Sequence, residues 1–282
     1  MVKTTSRAME FWHQFRKNRL AVVGLVILLV MVLGAILAPL VAPAGYDTQD
    51  LSQRFQSPSA AHFFGTDNFG RDIFSRVLYG AQISLAIGLG SMVISVAIGM
   101  VLGAIAGYTG GVVDGLIMRL MDIFLSIPQL VLAIAIAAAL GGGMGNLILA
   151  VSLSSIPRYA RILRGSVLET MEKEYVEAAR ATGASHVRIL ARHIVPNCLG
   201  PIIVQATLGV GVSILSAASL SFIGMGIEPP KPEWGAMLSM GRQYIRDYPY
   251  MTLFPGLAIA LTVFALNVVG DGLSDAFDPK RR

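Results

Sequence analysis

The sequence predicts an all-α integral membrane protein with six transmembrane helices. Of its 282 residues, 54% are hydrophobic and 14% charged, and the mean hydropathy is +0.66, which is too apolar for a soluble globular domain. The charges also gather in short segments between long uncharged runs. Lys and Arg outnumber Asp and Glu by 22 to 17, and because the basic residues flank apolar runs, their expected partner is membrane lipid and not nucleic acid. Cys198 is the single cysteine, which excludes an internal disulfide and offers no redox or zinc framework.

The first span follows from residues 20–40, an uncharged run of 21 behind Lys3, Arg7, Arg16, Lys17 and Arg19. Ala42-Pro43-Ala44 resembles a signal cleavage site, but secretory cores run about 7–15 residues, so a retained helix is expected. Residues 41–80 read as a loop outside the bilayer. Within it Asn68 or Asp67 is placed to cap a short helix carrying Phe69, Ile73, Val77 and Gly80 into the second span. That loop reads equally as a contact surface or as a solvated turn setting the entry angle of the next helix.

The second span, residues 82–108, carries no charge and repeats small residues every fourth position: Ser91, Ser95, Gly99, Gly103 and Gly107. Lipid supplies no hydrophobic force between helices, so such a stripe favours close backbone packing, with pore lining as the other reading. Residues 123–157 are also uncharged and as one helix would be about 50 Å long, well beyond a hydrocarbon core of about 30 Å. They must fold back at Gly141–Asn146, giving a third and a fourth span, with Pro128 kinking the third or ending it. No Gly-Lys-Ser or Gly-Lys-Thr follows the glycines, so this is no phosphate loop.

Residues 174–201 form a charged segment between apolar spans. Val167, Met171, Tyr175, Ala178 and Thr182 recur at helical spacing, Gly183 punctuates the run as a left-handed cap, and Ser185 can cap a second short helix bearing Val187, Leu190, Ala191 and Ile194. A fifth span, 193–227, starts near Pro196 and Pro201 and carries a second stripe, Gln205, Gly209, Ser213, Ala217 and Ser221, which is a candidate translocation path. A polar loop and a sixth span, 248–270, complete the chain. With the N-terminus in the cytoplasm, sixteen Lys and Arg lie inside and six outside, so both termini and the 174–201 segment are assigned to the cytoplasm.

Three groups of residues resemble one family. Glu177-Ala178-Ala179, Gly183 and Pro196 are similar to the EAA loop of binding-protein-dependent ABC importer permeases, although His193 and Val195 stand where the pattern has Ile and Leu. Gly65-Thr66-Asp67 with Gly70-Arg71-Asp72, and the string GIEPPKPEWGAML, resemble the C-type permease of dipeptide, oligopeptide and nickel importers. The resemblance implies a type I importer permease fold, with residues 1–80 as tail, first helix and outer loop and 81–282 as a five-helix permease core. It implies a multi-pass protein of a bacterial or archaeal inner membrane. It also implies an ATPase-coupling role for Glu177, Ala178, Ala179, Gly183 and Pro196. The implied partners are a homologous second permease, two ATPase subunits that hold ATP and Mg, and an extracytoplasmic solute-binding protein. The implied cargo is a di- or oligopeptide, with nickel chelate, glutathione or an opine-like solute as alternatives.

The residues themselves hold no catalytic or metal-binding constellation: no Walker lysine, H-E-x-x-H, G-x-S-x-G or carboxylate pair in an apolar run, and His13, His62, His186 and His193 are scattered. No enzyme activity and no cofactor are therefore expected on this chain. An ion-coupled carrier acting alone would need ionisable groups in mid-membrane, which the spans lack. A non-transporting scaffold is the remaining class, separated from the others by co-purification and transport.

Overall fold

The computed structural model describes residues 7–277; Lys3 and the basic run 280–282, both used in the orientation count, lie outside them. The described residues are helical throughout, apart from loops and one isolated bridge between Thr66 and Asp72.

Helices α1 (Arg7–Lys17) and α2 (Arg19–Val41) meet at Asn18, whose side-chain oxygen accepts from the Ala21 amide at 3.1 Å. The sequence left residues 7–17 as a charged tail, but Phe15 is buried beside Ala21, Val269 and Ala276. Helix α2 packs on the last helix through Gly24 and turns Val26, Val30 and Leu33 outward.

Helix α3 (Ile73–Thr109) is one rod of 37 residues, about 55 Å long. Its cap is Asp72, which accepts from the Ser75 amide at 2.7 Å; it is neither Asn68 nor Asp67, and no separate short helix precedes the span. Asp67 instead folds the loop, accepting from the Phe69 and Arg71 amides and from the Arg71 guanidinium at 2.6 Å. Asp67, Arg71, Asp72 and Arg76 are each at most 4% exposed. Arg76 donates to the carbonyls of Tyr46 (2.7 Å) and Pro230 (3.2 Å), so these charges lock two loops together and are not a solvated turn. Their pairing is what makes the burial tolerable.

Helices α4 (Gly111–Ser126) and α5 (Gln129–Leu140) meet at 92°. Pro128 lacks an amide and forces Ile127 into an extended conformation, so the helix ends there. Alone, α5 has 12 residues, about 18 Å, too short to cross. Helix α6 (Met144–Met171) continues well past Arg164. Among the described residues, four helical stretches are long and apolar enough to cross a membrane, or five with α4 and α5 as one broken span, against the six expected. The shortfall is α6, whose 28 residues suffice in length but whose second half carries Arg158, Arg161 and Arg164.

Helix α7 (Glu174–Ala181) leads to α8 (His186–Arg188), which runs through a π turn (Ile189–Ile194) and a 3-10 turn (Val195–Cys198) into α9 (Leu199–Phe222). The sequence separated the second cytoplasmic helix from the fifth span, whereas the two form one helical path. Helix α10 (Trp234–Gly241) is capped by Glu233 and pinned to α3 by Trp234, whose indole donates to the Val77 carbonyl at 3.0 Å. Burial raises the Glu233 carboxyl above its ordinary pKa, against the opposing effect of its hydrogen bonds from Gly235 and Ala236. Helix α11 (Tyr250–Phe277) closes the bundle between α2 and α9.

The centre of the bundle is the seam between α3 and α6. Ser91, Ser95, Gly99, Gly103 and Gly107 are all buried. The Ser95 hydroxyl reaches the Ser152 carbonyl at 3.0 Å; a Cβ on Gly99 would stand 2.6 Å from the Tyr159 Cβ, and one on Gly103 would collide with the Ala160 carbonyl. The stripe is a packing face. We expect Gly103→Leu to cost about 2 kcal/mol or more and to lower the yield of folded chain from membranes. Gly115→Leu, on α4 where a Cβ meets nothing within 4 Å, should leave that yield unchanged.

The candidate coupling site

Residues 172–198 form a compact unit against the ends of α3 and α6. Val176, Ile189, Ile194 and Cys198 are buried with Ala104, Leu163, Val167 and Ile202. Lys173 starts α7 in an extended conformation, so the break after α6 falls at Glu172–Lys173 and not within a continuous helix from Val167 to Thr182.

The bend that follows is a Schellman turn. The Gly183 amide donates to the Arg180 carbonyl (3.0 Å) and the Ala184 amide to the Ala179 carbonyl (3.1 Å), with Gly183 at φ +77°. Ala179 and Ala184 pack on the same cluster, which is the apolar contact this turn requires. Ser185 then caps α8, accepting from the Arg188 amide at 3.4 Å. Pro196 has no amide for the Arg192 carbonyl, and the helix passes this point as a π turn followed by a 3-10 turn. The Asn197 side chain donates to the His193 carbonyl at 2.6 Å.

Glu177, Ala178, Gly183 and Pro196 are exposed, and Ala179 is half-buried. Among the described residues Glu177 forms no ion pair with Arg180. The unit exposes the carboxylates of Glu172, Glu174 and Glu177, and Arg180 of α7 lines a cleft of about 480 Å³ with Tyr108, Thr109, His186, Val187 and Leu190. The Tyr108 hydroxyl lies 2.7 Å from Nδ1 of His186, tying the end of α3 to α8. Sequence reasoning missed this tie, since the two residues are 78 positions apart.

The family described as binding-protein-dependent transport system inner membrane component matches residues 99–282, which include the whole of this unit. The chain belongs to that family. A second match, the N-terminal transmembrane domain of oligopeptide transport permease C, covers residues 6–58. The dipeptide transport system permease protein DppC of Alkalihalophilus pseudofirmus is 48% identical over 97% of this chain and 90% of its own length. The glutathione transport system permease protein GsiD of Shigella flexneri is also 48% identical, over 96% of this chain and 90% of its own. In fold, the chain is similar to the inward-facing MetNI methionine ABC transporter (TM-score 0.58, 20% identity, 70% of this chain and 93% of that one). It is also similar to an amino acid ABC transporter (TM-score 0.52, 17% identity, 73% and 94%).

This protein is thus the membrane permease component of an ABC importer. In the permease, the second stripe is divided. Gly209, Ser213, Ala217 and Ser221 are buried within the chain, and Gly209 makes the notch that receives the Tyr159 hydroxyl of α6. Only Gln205 is partly open, and it accepts from the Arg158 guanidinium at 2.7 Å. Arg161 pairs with Asp122 at 2.5 Å, and Arg164 pairs with Asp114 through two bonds of 2.5 and 2.6 Å.

Gly183 has open space around it, so a side chain there meets strain and not a collision. A β-branched residue at this positive φ should cost about 1–2 kcal/mol or more and turn α8 away from its seat. We expect Gly183→Val to abolish transport while the chain still inserts in the membrane, and Gly183→Asn, which tolerates that conformation, to retain it. Uptake measured beside membrane-inserted protein checks both.

Proposed function

We propose that the permease is the C-type subunit of an importer for short peptides, working with a homologous second permease, two ATPase subunits and an extracytoplasmic binding protein. The observation that carries the cargo is the 48% identity, over nearly all of both chains, to permeases named for a dipeptide and for glutathione, itself a short peptide. Glutathione is the second reading for that reason. ATP and Mg belong to the partner subunits in this reading, since the sequence carries no Walker lysine motif.

Coupling rests on geometry. An ATPase that closes on the 174–198 unit would push on α7 and α8, and α8 passes without a break into α9, so displacement at the surface becomes rotation of a span. Glu177, exposed on α7, would meet a basic group on the ATPase. Glu177→Ala should then reduce the ATPase retained on purification and its stimulation by loaded binding protein. Uptake of dialanine and of glutathione into vesicles holding the complete importer tests the cargo: ATP-dependent uptake of either supports a peptide carrier, and uptake of neither sinks it.

The charge asymmetry supports a cytoplasmic N-terminus. In a Cys198→Ser background, a cysteine at Ser59 or Lys231, both exposed, should react with an impermeant thiol reagent in intact cells, and one at Ser185 should not. Pro232 is buried and would be a poor site for the same label. Labelling of Ser185→Cys from outside would invert the orientation and remove the coupling surface from the ATP compartment.

A further inference from the structure

Three arginines follow one another at steps of three along α6, and two are neutralised by carboxylates of α4. The third, Arg158, is exposed and has a neutral partner, Gln205 of α9. Its depth makes that unusual. The start of α6 and the end of α9 lie together, where the Gly143 amide donates to the Gly226 carbonyl at 3.3 Å, and the topology proposed above puts that junction at the outer membrane face. Counted from that face, Arg158 is about 21 Å along α6 and Gln205 about 25 Å along α9, within a hydrocarbon core of about 30 Å. A cation at such a depth is costly against lipid and is ordinarily found facing water or a protein cavity. Arg158 does not run along its own helix to the nearer interface, as a lipid-facing arginine would. It crosses to α9.

The pair is also incomplete as a hydrogen-bonding unit. A guanidinium only donates, so the Gln205 atom that meets it must be the carbonyl oxygen, and the Gln205 amide nitrogen is left with two donors. Arg158 uses one of its five N–H groups in this bond, and no carboxylate contacts it among the described residues. Side by side, the two groups leave six N–H donors free against one lone pair on the Gln205 carbonyl oxygen. We propose that Arg158 and Gln205 form a carboxylate-binding point on the solute's route through the membrane, the guanidinium taking the anion in its planar fork and the Gln205 amide adding a further donor. Gln205 so keeps a place on the route that the buried remainder of its stripe does not.

This rests on the peptide-importer reading, and the test separates the two. The complete importer is reconstituted with its binding protein, with dialanine and glutathione as probes, and uptake is measured with ATP hydrolysis. Arg158→Gln should lower uptake at least about tenfold, the loss expected for a hydrogen bond to a charged group. Binding-protein-stimulated hydrolysis and recovery of the second permease should stay unchanged, so that solute carried per ATP falls. Gln205→Glu, which supplies Arg158 with a fixed counter-charge, should lose uptake in the same way, and Arg158→Lys should keep much of it. Wild-type uptake in Arg158→Gln would overturn the proposal. So would loss of the second permease from that variant, because the charge would then serve assembly. If the wild-type importer carries neither probe, the cargo reading fails before any variant is compared, and the carboxylate point fails with it.

Discussion

Close contact between α3 and α6 is the constraint on which the other helices depend. In lipid, apolar side chains gain nothing by leaving their surroundings for one another, so helices hold together by fit and by hydrogen bonds. Ser91, Ser95, Gly99, Gly103 and Gly107 let the two backbones touch, and the serine hydroxyls add bonds to the Ile148 and Ser152 carbonyls. Three further parts are seated on this pair. Helix α9 fits through the Tyr159 hydroxyl in the Gly209 notch, α10 through Trp234 on the Val77 carbonyl, and the coupling unit through the cluster around Leu163 and Val167.

The coupling unit is made stiff by turn chemistry and not by size. The Schellman bonds at Gly183, the Ser185 cap and the Tyr108–His186 contact each fix one joint, and Pro196 sets where the helix tightens as it enters α9. The opposite end of the chain is fixed differently, by buried charge: Asp67, Arg71, Asp72 and Arg76 join the 42–72 loop to the residues before α10.

Much of this was legible in the sequence because the relevant signals are local. Hydropathy marked the long apolar helices, the four-residue stripe marked the seam, and the spacing of Glu177, Gly183 and Pro196 marked the bent helical unit at 172–198 and the family. Gly183 takes the left-handed conformation that its position implied. What the sequence hid depends on distant contacts. The charges from Asp67 to Arg76 read as solvent-facing until their partners are known. Arg158, Arg161 and Arg164 look like the end of a span, yet α6 runs past them because Asp114, Asp122 and Gln205 meet them from other helices. Pro128 was visible, but not the 92° turn that follows from it. The second stripe had the same period as the first, and period alone does not say whether a smooth face meets a helix or a passage.

Because the 172–198 unit is seated on the α3–α6 frame through the cluster around Leu163 and Val167, the two should move as one body when the importer turns over. Spin labels at Val187 in α8 and Ile105 in α3, both exposed, report on it directly through their separation in the complete importer, with and without trapped nucleotide. The expected separation is constant to within about 2 Å, the scale of ordinary helix shifts, whereas a change of about 5 Å, a full helical turn, would show the unit moving apart from the frame.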